Sequence, residues 1–306
     1  MSTATTSSAR AEFRAAGTDL SERRRSGVSR GALIDLVPSA DMREIAWGAD
    51  GAARIGASVS VAAIAADQRL GSAYPGLTAA AGGLATPQVR QLATLGGNLA
   101  QRSRCWYYRN PDIDCLKKSG SSCPAREGNH LYHVAFDLGP CVAPHPSTLA
   151  AALLACDATI ATDRRPALSV PQLFGDGSNG RADNTLADGE TIKAVQLPPP
   201  RTGERALYRR AVSRTHAEWP LVELVARAMV SGGRFEFVQI AAGGIAPVPL
   251  RLAKAEAAAQ GQAASAATAA AAAEQAVAGA SPLPMTRYKL ELLKGLVRDL
   301  LEQLAR

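Results

Sequence analysis

The feature that most constrains this chain is a group of four cysteines that follows a glycine-containing turn. Cys105, Cys115, Cys123 and Cys141 lie in one segment whose other residues are rich in Gly, Ser, Pro and charged side chains. Thiolates are soft ligands, and four of them can complete the coordination of a cubane iron–sulfur cluster or of zinc. In a reducing cytoplasm, metal ligation explains clustered cysteines better than disulfides do.

The spacing of these cysteines leaves the metal open. The pattern C-x9-C-x7-C-x17-C matches neither the CxxC pairs of zinc fingers nor the compact run of bacterial ferredoxins. His130 and His133 lie in the same loop, so a zinc site that includes histidine is an alternative. A fifth cysteine, Cys156, falls on the apolar face of the segment ALLACDA, and we expect it to be part of the core.

Composition indicates an ordinary globular protein. Of the 306 residues, 47% are hydrophobic and 20% charged, as in ordinary globular proteins. A chain of this length can form about two or three sub-domains with their own cores. The net charge is +7, and its densest run, Arg23 to Arg25, has no interleaved aromatic residues. We therefore expect a solvated surface or a contact with an acidic partner subunit there, and no nucleic-acid binding.

Hydropathy predicts neither a membrane span nor an export signal in this chain. No apolar run approaches the roughly eighteen residues of a membrane span. The first residues, MSTATTSSARAEF, also lack the apolar core of a secretory signal.

The first two hundred residues read as a polar tail followed by mixed strands and helices. The tail covers residues 1–12, and strand candidates follow at ALIDLV and at ARIGASVSV. Helices are predicted at AAIAADQRL, from Pro75 to Ala85, and after Cys141, where Ser147 and Thr148 provide the cap. A strand over residues 191–197 ends at three prolines, which mark a domain boundary after residue 200.

The C-terminal third has a different pattern. The segments RALYRRAVSR and GRFEFVQIAAGGI look like strands around a helix, and the alanine-rich stretch 254–278 is predicted to be helical, weakened by Gly261. Residues 285–306 have the leucine spacing of an amphipathic helix. Strands and helices alternate without βαβ regularity, so the predicted class is α+β.

Two glycine-containing turns are candidate phosphate sites. The turn Thr94-Leu95-Gly96-Gly97-Asn98 and the turn from Ala15 to Leu20 both allow backbone N–H groups to approach a phosphate closely, although spacing alone favours ordinary turns. A GxGxxG pattern from Gly175 to Gly180 is rejected as a dinucleotide fingerprint, because a loop and not a helix follows it.

The order of segments resembles the FAD-binding subunit of the molybdenum hydroxylases, the xanthine dehydrogenase family. The likeness rests on AAGTDL, RIGASVSV, ATLGGNLAQ, CVAPHPS, ETIKAVQLPPP and AAGGIAPVPLR. The cysteine loop resembles that of the aldehyde oxidoreductase type, whose flavin subunit carries an additional [4Fe–4S] cluster. This resemblance implies an FAD-binding domain of two sub-domains (PCMH type) over residues 13–200, with a cluster loop at 102–142, and a C-terminal α+β domain of the CO dehydrogenase flavoprotein type over 201–306.

The resemblance also implies roles for individual residues. Leu84 would line the adenine side of FAD, Thr148, Ile192 and Arg210 would lie near the flavin ring, and the four loop cysteines would ligate the cluster. Two turns would hold the diphosphate, formed by Ala15, Ala16, Gly17, Thr18, Asp19 and Leu20 and by Thr94, Gly96, Gly97 and Asn98. The sequence departs from the family pattern in that Ala16 replaces a glycine, Thr148 an aspartate and Arg210 a lysine.

The implied function is electron transfer within a heterotrimer. Electrons would pass from a molybdenum-cofactor large subunit through a [2Fe–2S] small subunit to FAD on this chain and then to an external acceptor. The complex would work in the cytoplasm, or in the periplasm after co-export with a signal-bearing partner. Two alternatives remain at this point: a non-catalytic, cluster-bearing assembly subunit that lacks FAD, and a zinc-stapled binding module.

Overall fold

The computed structural model describes residues 11–215 and 217–306. Residues 1–10, most of the expected polar tail, lie outside this range. Glu12, which was assigned to the tail, instead belongs to strand β1 (Glu12–Arg14). This strand pairs in parallel with β2 (Leu33–Asp35), and helix α1 (Leu20–Arg25) connects the two. The pairing and a salt bridge from Glu12 to Arg23 hold the start of the described chain in place.

The first large element is an antiparallel sheet of five strands in the order β3-β4-β7-β5-β6. Its strands are β3 (Ile45–Trp47), β4 (Ala53–Gly56), β5 (Thr159–Thr162), β6 (Leu168–Ser169) and β7 (Ile192–Leu197). At its centre, Ile55 of β4 and Ile160 of β5 both pair with Val195 of β7, and all three side chains are buried. The expected strand over residues 191–197 is therefore the middle of the sheet.

The chain between β4 and β5 carries most of the helices and the cysteine loop. Serine and threonine side chains begin several of these helices by accepting an N–H from the first turn, as Ser147 does for α8 and Thr94 for α6. The helices are α2 (Val61–Ala66), α3 (Gln68–Ala73), α4 (Pro75–Gly83), α5 (Pro87–Leu92), α6 (Leu95–Ala100), α7 (Trp106–Arg109) and α8 (Thr148–Ala155), with α9 (Val170–Phe174) after β6.

The C-terminal part contains a four-stranded antiparallel sheet in the order β11-β10-β9-β8. Its strands are β8 (Arg205–Ala211), β9 (Val222–Ser231), β10 (Arg234–Gly243) and β11 (Leu250–Arg251). The helix expected between the first two strand candidates is wrong, because that segment forms β9. Seven consecutive residues from Val222 to Ala228 are buried. An apolar run that is covered on both faces does not show the alternation that would distinguish a strand from a helix.

Three helices form a layer on one face of this sheet, in which the first and third contact its strands and the second packs on those two helices. They are α10 (Ala253–Ala259), α11 (Ala266–Ala276) and α12 (Tyr288–Leu304). The alanine-rich stretch is two helices and not one, because Gly261 adopts a φ of +78° that breaks it. Helix α12 confirms the amphipathic prediction, since Leu293, Leu300 and Leu304 are buried in the C-terminal core.

The opposite face of the C-terminal sheet packs against α4 and α8 of the preceding part. Cys156, at the end of α8, is buried in the resulting core as expected. These mixed layers of helix and antiparallel sheet confirm the α+β class. Among residues 11–215 and 217–306, none of the helices has the length and apolar character to cross a bilayer.

Candidate functional site

The two glycine-containing turns line one cavity, although they are distant in the sequence. Its wall includes the whole segment 15–20 together with Thr94, Gly96, Gly97 and Ile192. The cavity measures about 140 Å³. Sites for drug-sized ligands measure roughly 300–1,000 Å³. The space between the turns therefore suits a diphosphate group better than a whole dinucleotide, and we name it the turn cavity.

The first turn keeps its backbone N–H groups available. Gly17 has a φ of +75°, and its carbonyl accepts the N–H of Ser21 at 2.8 Å. In the part of the chain that the structure describes, the N–H groups of Ala16, Gly17 and Thr18 donate to no carbonyl or side-chain oxygen. Successive unpaired amides in a turn can bind an anion. The side chain of Ala16 is a methyl group, so it cannot accept a hydrogen bond from them.

The glycines of the second turn serve local packing. A Cβ on Gly96 would lie 2.9 Å from the Cβ of Ala57, and one on Gly97 would lie 3.0 Å from Thr94 Oγ1. The N–H of Gly96 donates to Ala57 O at 2.8 Å, and the N–H of Gly97 donates to Thr94 Oγ1 at 3.2 Å. These contacts hold the start of α6 against the end of β4, where the turn forms part of the cavity wall.

Two arginine side chains are part of the wall of the turn cavity. Arg14 and Arg23 both line it. Arg23 is buried, in contrast to the solvated surface or acidic-partner contact expected for its arginine run, and it donates to Asp19 and Glu12 within the chain. Arg14 is likewise paired within the chain, with Asp35, so the unpaired amides of the first turn are the donors that remain open to phosphate oxygens.

Asp19 connects the first turn to the cysteine loop. Its carboxylate accepts from Arg23 at 3.0 Å, from Arg104 at 3.0 Å and from Arg109 at 2.7 Å. Burial alone would raise the pKa of Asp19, but Arg104 and Arg109 outweigh it and hold that pKa below its usual range. The carboxylate therefore stays ionised and ties the turn to residues 102–109.

The four loop cysteines lie in one neighbourhood. Cys141 is buried beside Leu116 and Ala143, and the half-buried Cys105 and Cys123 pack against them. Cys115 is buried at the start of the turn that contains Leu116. All four are free thiols. Three soft donors therefore share one apolar cluster of the loop, and the fourth, Cys115, is buried next to its member Leu116.

The thiols interact with each other but are not arranged around one point. A hydrogen bond between Cys123 and Cys141 lowers the pKa of Cys123 to about 6 and raises that of Cys141, whereas burial raises the pKa of Cys105 to about 11. Within the described ranges, no three His, Cys, Asp or Glu side chains form a group with the arrangement of metal ligands. The donor chemistry fits an iron–sulfur cluster, and the side-chain arrangement does not yet form a closed ligand set.

The two loop histidines differ in whether their ring nitrogens are available to bind a metal ion. His130 has both ring nitrogens engaged, Nδ1 with Ala125 O at 3.0 Å and Nε2 with the N–H of Met285 at 3.3 Å. His133 lies with Nε2 3.2 Å from Cys105 Sγ. Zinc would bind the unprotonated Nε2 of His130, so a site that uses His130 would have to displace the hydrogen bond from Met285, and that form of the zinc alternative is disfavoured.

Comparison with known proteins agrees with this geometry. Residues 1–200 match the family model described as the FAD binding domain in molybdopterin dehydrogenase, and residues 207–304 match the CO dehydrogenase flavoprotein C-terminal domain. The chain belongs to this FAD-binding family. This confirms the predicted membership in the FAD-binding subunits of the molybdenum hydroxylases. The additional [4Fe–4S] cluster stays a prediction.

Individual relatives give the same picture of the family. The chain is 33% identical over 209 residues to the aldehyde oxidoreductase FAD-binding subunit PaoB of Escherichia coli (strain K12), a match that spans 66% of this chain and 64% of PaoB. Quinoline 2-oxidoreductase from Pseudomonas putida 86 shares the fold with a TM-score of 0.74 at 20% identity, covering 96% of this chain and 89% of that one. Carbon monoxide dehydrogenase from Hydrogenophaga pseudoflava gives the same values.

Four of the residues that the family resemblance assigned to FAD lie outside the wall of the turn cavity. Asn98 is buried and accepts a hydrogen bond from Ser147 at 2.6 Å, while Leu84 ends α4 in the core. Thr148 is buried at the start of α8, where it hydrogen-bonds the carboxyl group of Glu223. Arg210 donates to the carbonyls of Gly83 and Glu218. Any contact of these four residues with FAD must therefore be made beyond the turn cavity.

Sequence reasoning missed several residues of the cavity wall. Arg14, Arg23, Gln101 and Glu190 line it in addition to the expected turns. Arg14 directly precedes the first turn, and Arg23 is four residues after Asp19 on α1, a spacing that pairs them on a helix. The spacing of Asp19 and Arg23 could have predicted their pairing from the sequence. Gln101 and Glu190 line the cavity because of the tertiary fold, which no local sequence pattern indicates.

Proposed function

We propose that this chain is the FAD-carrying electron-transfer subunit of an aldehyde-oxidising molybdenum hydroxylase complex. The observation that carries the proposal is the convergence of two distant turns, three unpaired amides and two arginines on one cavity in a chain of this family. The likeness to an aldehyde oxidoreductase FAD-binding subunit supports the substrate class.

FAD would supply the chemistry, and the chain would bind and orient it. Bound FAD exchanges electrons singly with iron–sulfur clusters and in pairs with an acceptor. The amides of Ala16, Gly17 and Thr18, with Arg14 and Arg23, would hold the diphosphate. Ile192 lies in the same wall and would pack against the flavin end.

We propose a [4Fe–4S] cluster in the cysteine loop as a second carrier. Three of the four thiols share a small apolar cluster, Cys115 lies near enough to act electrostatically on Cys105, and all four described thiols are free. Cys105, Cys115, Cys123 and Cys141 would be the ligands, and the loop would close around the cluster as the thiols ionise.

The proposed partners are a molybdenum-cofactor subunit and a [2Fe–2S] subunit. Electrons would enter this chain from the [2Fe–2S] subunit and leave to an external acceptor. The complex would work in the cytoplasm, or in the periplasm after export with a signal-bearing partner. Cell fractionation of the tagged complex distinguishes the two compartments.

The test is the cofactor content of the chain purified anaerobically with its partner subunits. We expect about one FAD and about four irons with four acid-labile sulfides on this chain. Iron without flavin would instead identify a cluster-bearing assembly subunit. Zinc without iron or flavin would identify a zinc-stapled module, and the proposal would then be wrong.

A pair of cysteine variants tests the ligand assignment. Cys123→Ser should remove the iron and sulfide of this chain while FAD is retained. Cys156→Ser is the matched control, because Cys156 is a free thiol in the hydrophobic core away from the loop, and it should keep both cofactors. Full iron in the Cys123 variant would overturn the assignment.

A further inference from the structure

A second cavity lies between the cysteine loop and the C-terminal sheet. It measures about 460 Å³, within the range of ligand sites, and we name it the aromatic cavity. Trp106, Tyr132 and Trp219 line it and are 38%, 43% and 46% exposed, so they form its mouth. The buried residues His133 and His145 line its interior.

Three residues that line the aromatic cavity carry buried polar atoms without hydrogen-bond partners. Across residues 11–215 and 217–306, four buried side-chain nitrogens lack a hydrogen-bond partner: Arg104 Nε, His133 Nδ1, and both Nδ1 and Nε2 of His145. All three residues line this one cavity. A buried polar group without a partner costs roughly 1–3 kcal/mol, and native proteins contain few of them. Their concentration in one cavity wall indicates a polar ligand.

The side chains of the wall define the ligand's chemistry. Two indoles and a phenol at the mouth favour a flat ring. Arg104 Nε can only donate, so a ligand that pairs with it carries an acceptor atom, for which a carbonyl oxygen is suited. Burial lowers the pKa of His145 to about 3, so its ring is neutral and offers one N–H donor and one acceptor nitrogen. A carbonyl oxygen can accept from the N–H of this ring, and the oxygen of a hydroxyl in the same position can accept from it as well.

The aromatic cavity adjoins the proposed electron carriers. Cys105 is part of its wall. Arg104 contacts Asp19 at 3.0 Å and Gln101 Oε1 at 3.3 Å, and both of these residues line the turn cavity. One layer of side chains therefore separates the aromatic cavity from the proposed FAD site.

We propose that the aromatic cavity binds a quinone, which serves as the two-electron acceptor of this subunit. This inference rests on the proposed function for its source of electrons. Reduced FAD would give up two electrons and two protons and return to FAD, and the two carbonyls of the quinone would become the two hydroxyls of the hydroquinone. The neutral ring of His145 can hydrogen-bond both the quinone and the hydroquinone. The half-exposed mouth suits a ligand that exchanges with solvent.

The test is the binding of duroquinone to the full chain in its purified complex. Duroquinone is fully substituted, so it does not add to thiols, and equilibrium dialysis of the oxidised complex measures binding without turnover. FAD is measured in parallel on each preparation. We expect one duroquinone per protomer and a normal FAD content.

Two variants and one control locate the site. His145→Phe keeps an aromatic ring against Phe174 but removes both nitrogens, and it should weaken duroquinone binding about tenfold, which corresponds to about 1.4 kcal/mol. Trp219→Leu at the exposed mouth should also weaken binding, with little risk to folding. Trp47→Phe is the control, because Trp47 packs on Tyr74 away from the cavity, and it should bind as the unmodified chain does.

The outcomes separate the two proposals. Absence of duroquinone binding to the FAD-loaded complex, or unchanged binding in both cavity variants, would overturn the quinone site. Loss of FAD from both cavity variants would show that the flavin ring fills the cavity, which also overturns it. Duroquinone binding that depends on His145 in a chain without FAD would support the site and refute the proposed function.

Discussion

Gly17 illustrates how one backbone conformation supports the turn cavity. Its φ of +75° is costly for any residue with a Cβ, by about 1–2 kcal/mol, and an added Cβ would lie 2.9 Å from Ser21 Oγ. We expect Gly17→Ala to lower both the free energy of unfolding and the FAD content per protomer. Urea unfolding and flavin absorbance measure the two effects.

Gly203 provides the matched control for this prediction. It has a φ of +78° and nothing within 4 Å of an added Cβ. Gly203→Ala should therefore lose a similar free energy of unfolding while FAD content stays normal. If both variants lose FAD equally, the flavin loss at Gly17 follows from instability and not from the turn.

At the scale of single residues, the sequence predicts motifs better than contacts. The first turn and Thr94, Gly96 and Gly97 could be singled out because small residues mark tight turns, and the structure places these residues in one cavity wall. The surroundings of Thr148 could not, because its partner is the buried carboxyl group of Glu223, some seventy residues later, whose position depends on how β9 folds.

Helix α12 carries a buried lysine that should make stability depend on pH. Lys289 is 1% exposed, and its Nζ donates to Gly244 O at 2.7 Å and to Tyr132 O at 3.2 Å. Burial lowers the pKa of Lys289 to about 7 from the ordinary value of 10.5. Between these values the unfolded chain binds more protons than the folded chain, so the contribution of Lys289 to stability rises with pH and is lost as pH falls towards 7.

We therefore expect the unfolding free energy of the unmodified chain, minus that of Lys289→Met, to increase as the pH rises from about 7 to about 10. The slope should approach 1.4 kcal/mol per pH unit. Urea unfolding at pH 7, 8 and 9 measures it. Lys294→Met, in the same helix but pairing with Glu274 at the surface, should show no comparable rise. A flat difference for Lys289 would refute the prediction.

At the scale of elements, periodicity succeeded where one face is exposed and failed where both are covered. Helix α12 follows directly from its leucine spacing, because its outer face is solvated. Strand β9 lies between β8 and β10 and beneath helices on both sides, so its sequence carries an apolar run without a period. The break was signalled by the residue type at Gly261, which follows the extended Gln260 at the end of α10 and has a φ of +78°.

The two main parts of the molecule are joined by a buried arginine. Arg227 on β9 donates to Ala155 O of α8 at 2.6 Å and pairs with Glu204 at 2.6 Å. Removing it would leave the carboxylate of Glu204 buried without its partner. We expect Arg227→Ala to cost about 3–5 kcal/mol of unfolding free energy.

Arg209→Ala is the comparison for this junction. Arg209 is 45% exposed and lies 3.8 Å from Asp299, so its loss should cost less than about 1 kcal/mol. Calorimetry and urea unfolding of both variants measure the difference. In Arg227→Ala we also expect fluorescence and far-UV dichroism transitions to separate, because the two parts lose their shared polar contact. Equal costs for the two variants would contradict the assigned role of Arg227.

At the scale of the molecule, the carboxylate of Asp19 has a consequence for maturation. It holds the first turn and the start of the cysteine loop in one ionic network with Arg23, Arg104 and Arg109. Free-energy coupling between two sites is reciprocal. If binding at the turn favours the folded position of residues 102–109, then occupation of the loop must favour binding at the turn by the same factor. The proposed cofactors would thus be acquired cooperatively, and loss of one would weaken the binding of the other without abolishing it.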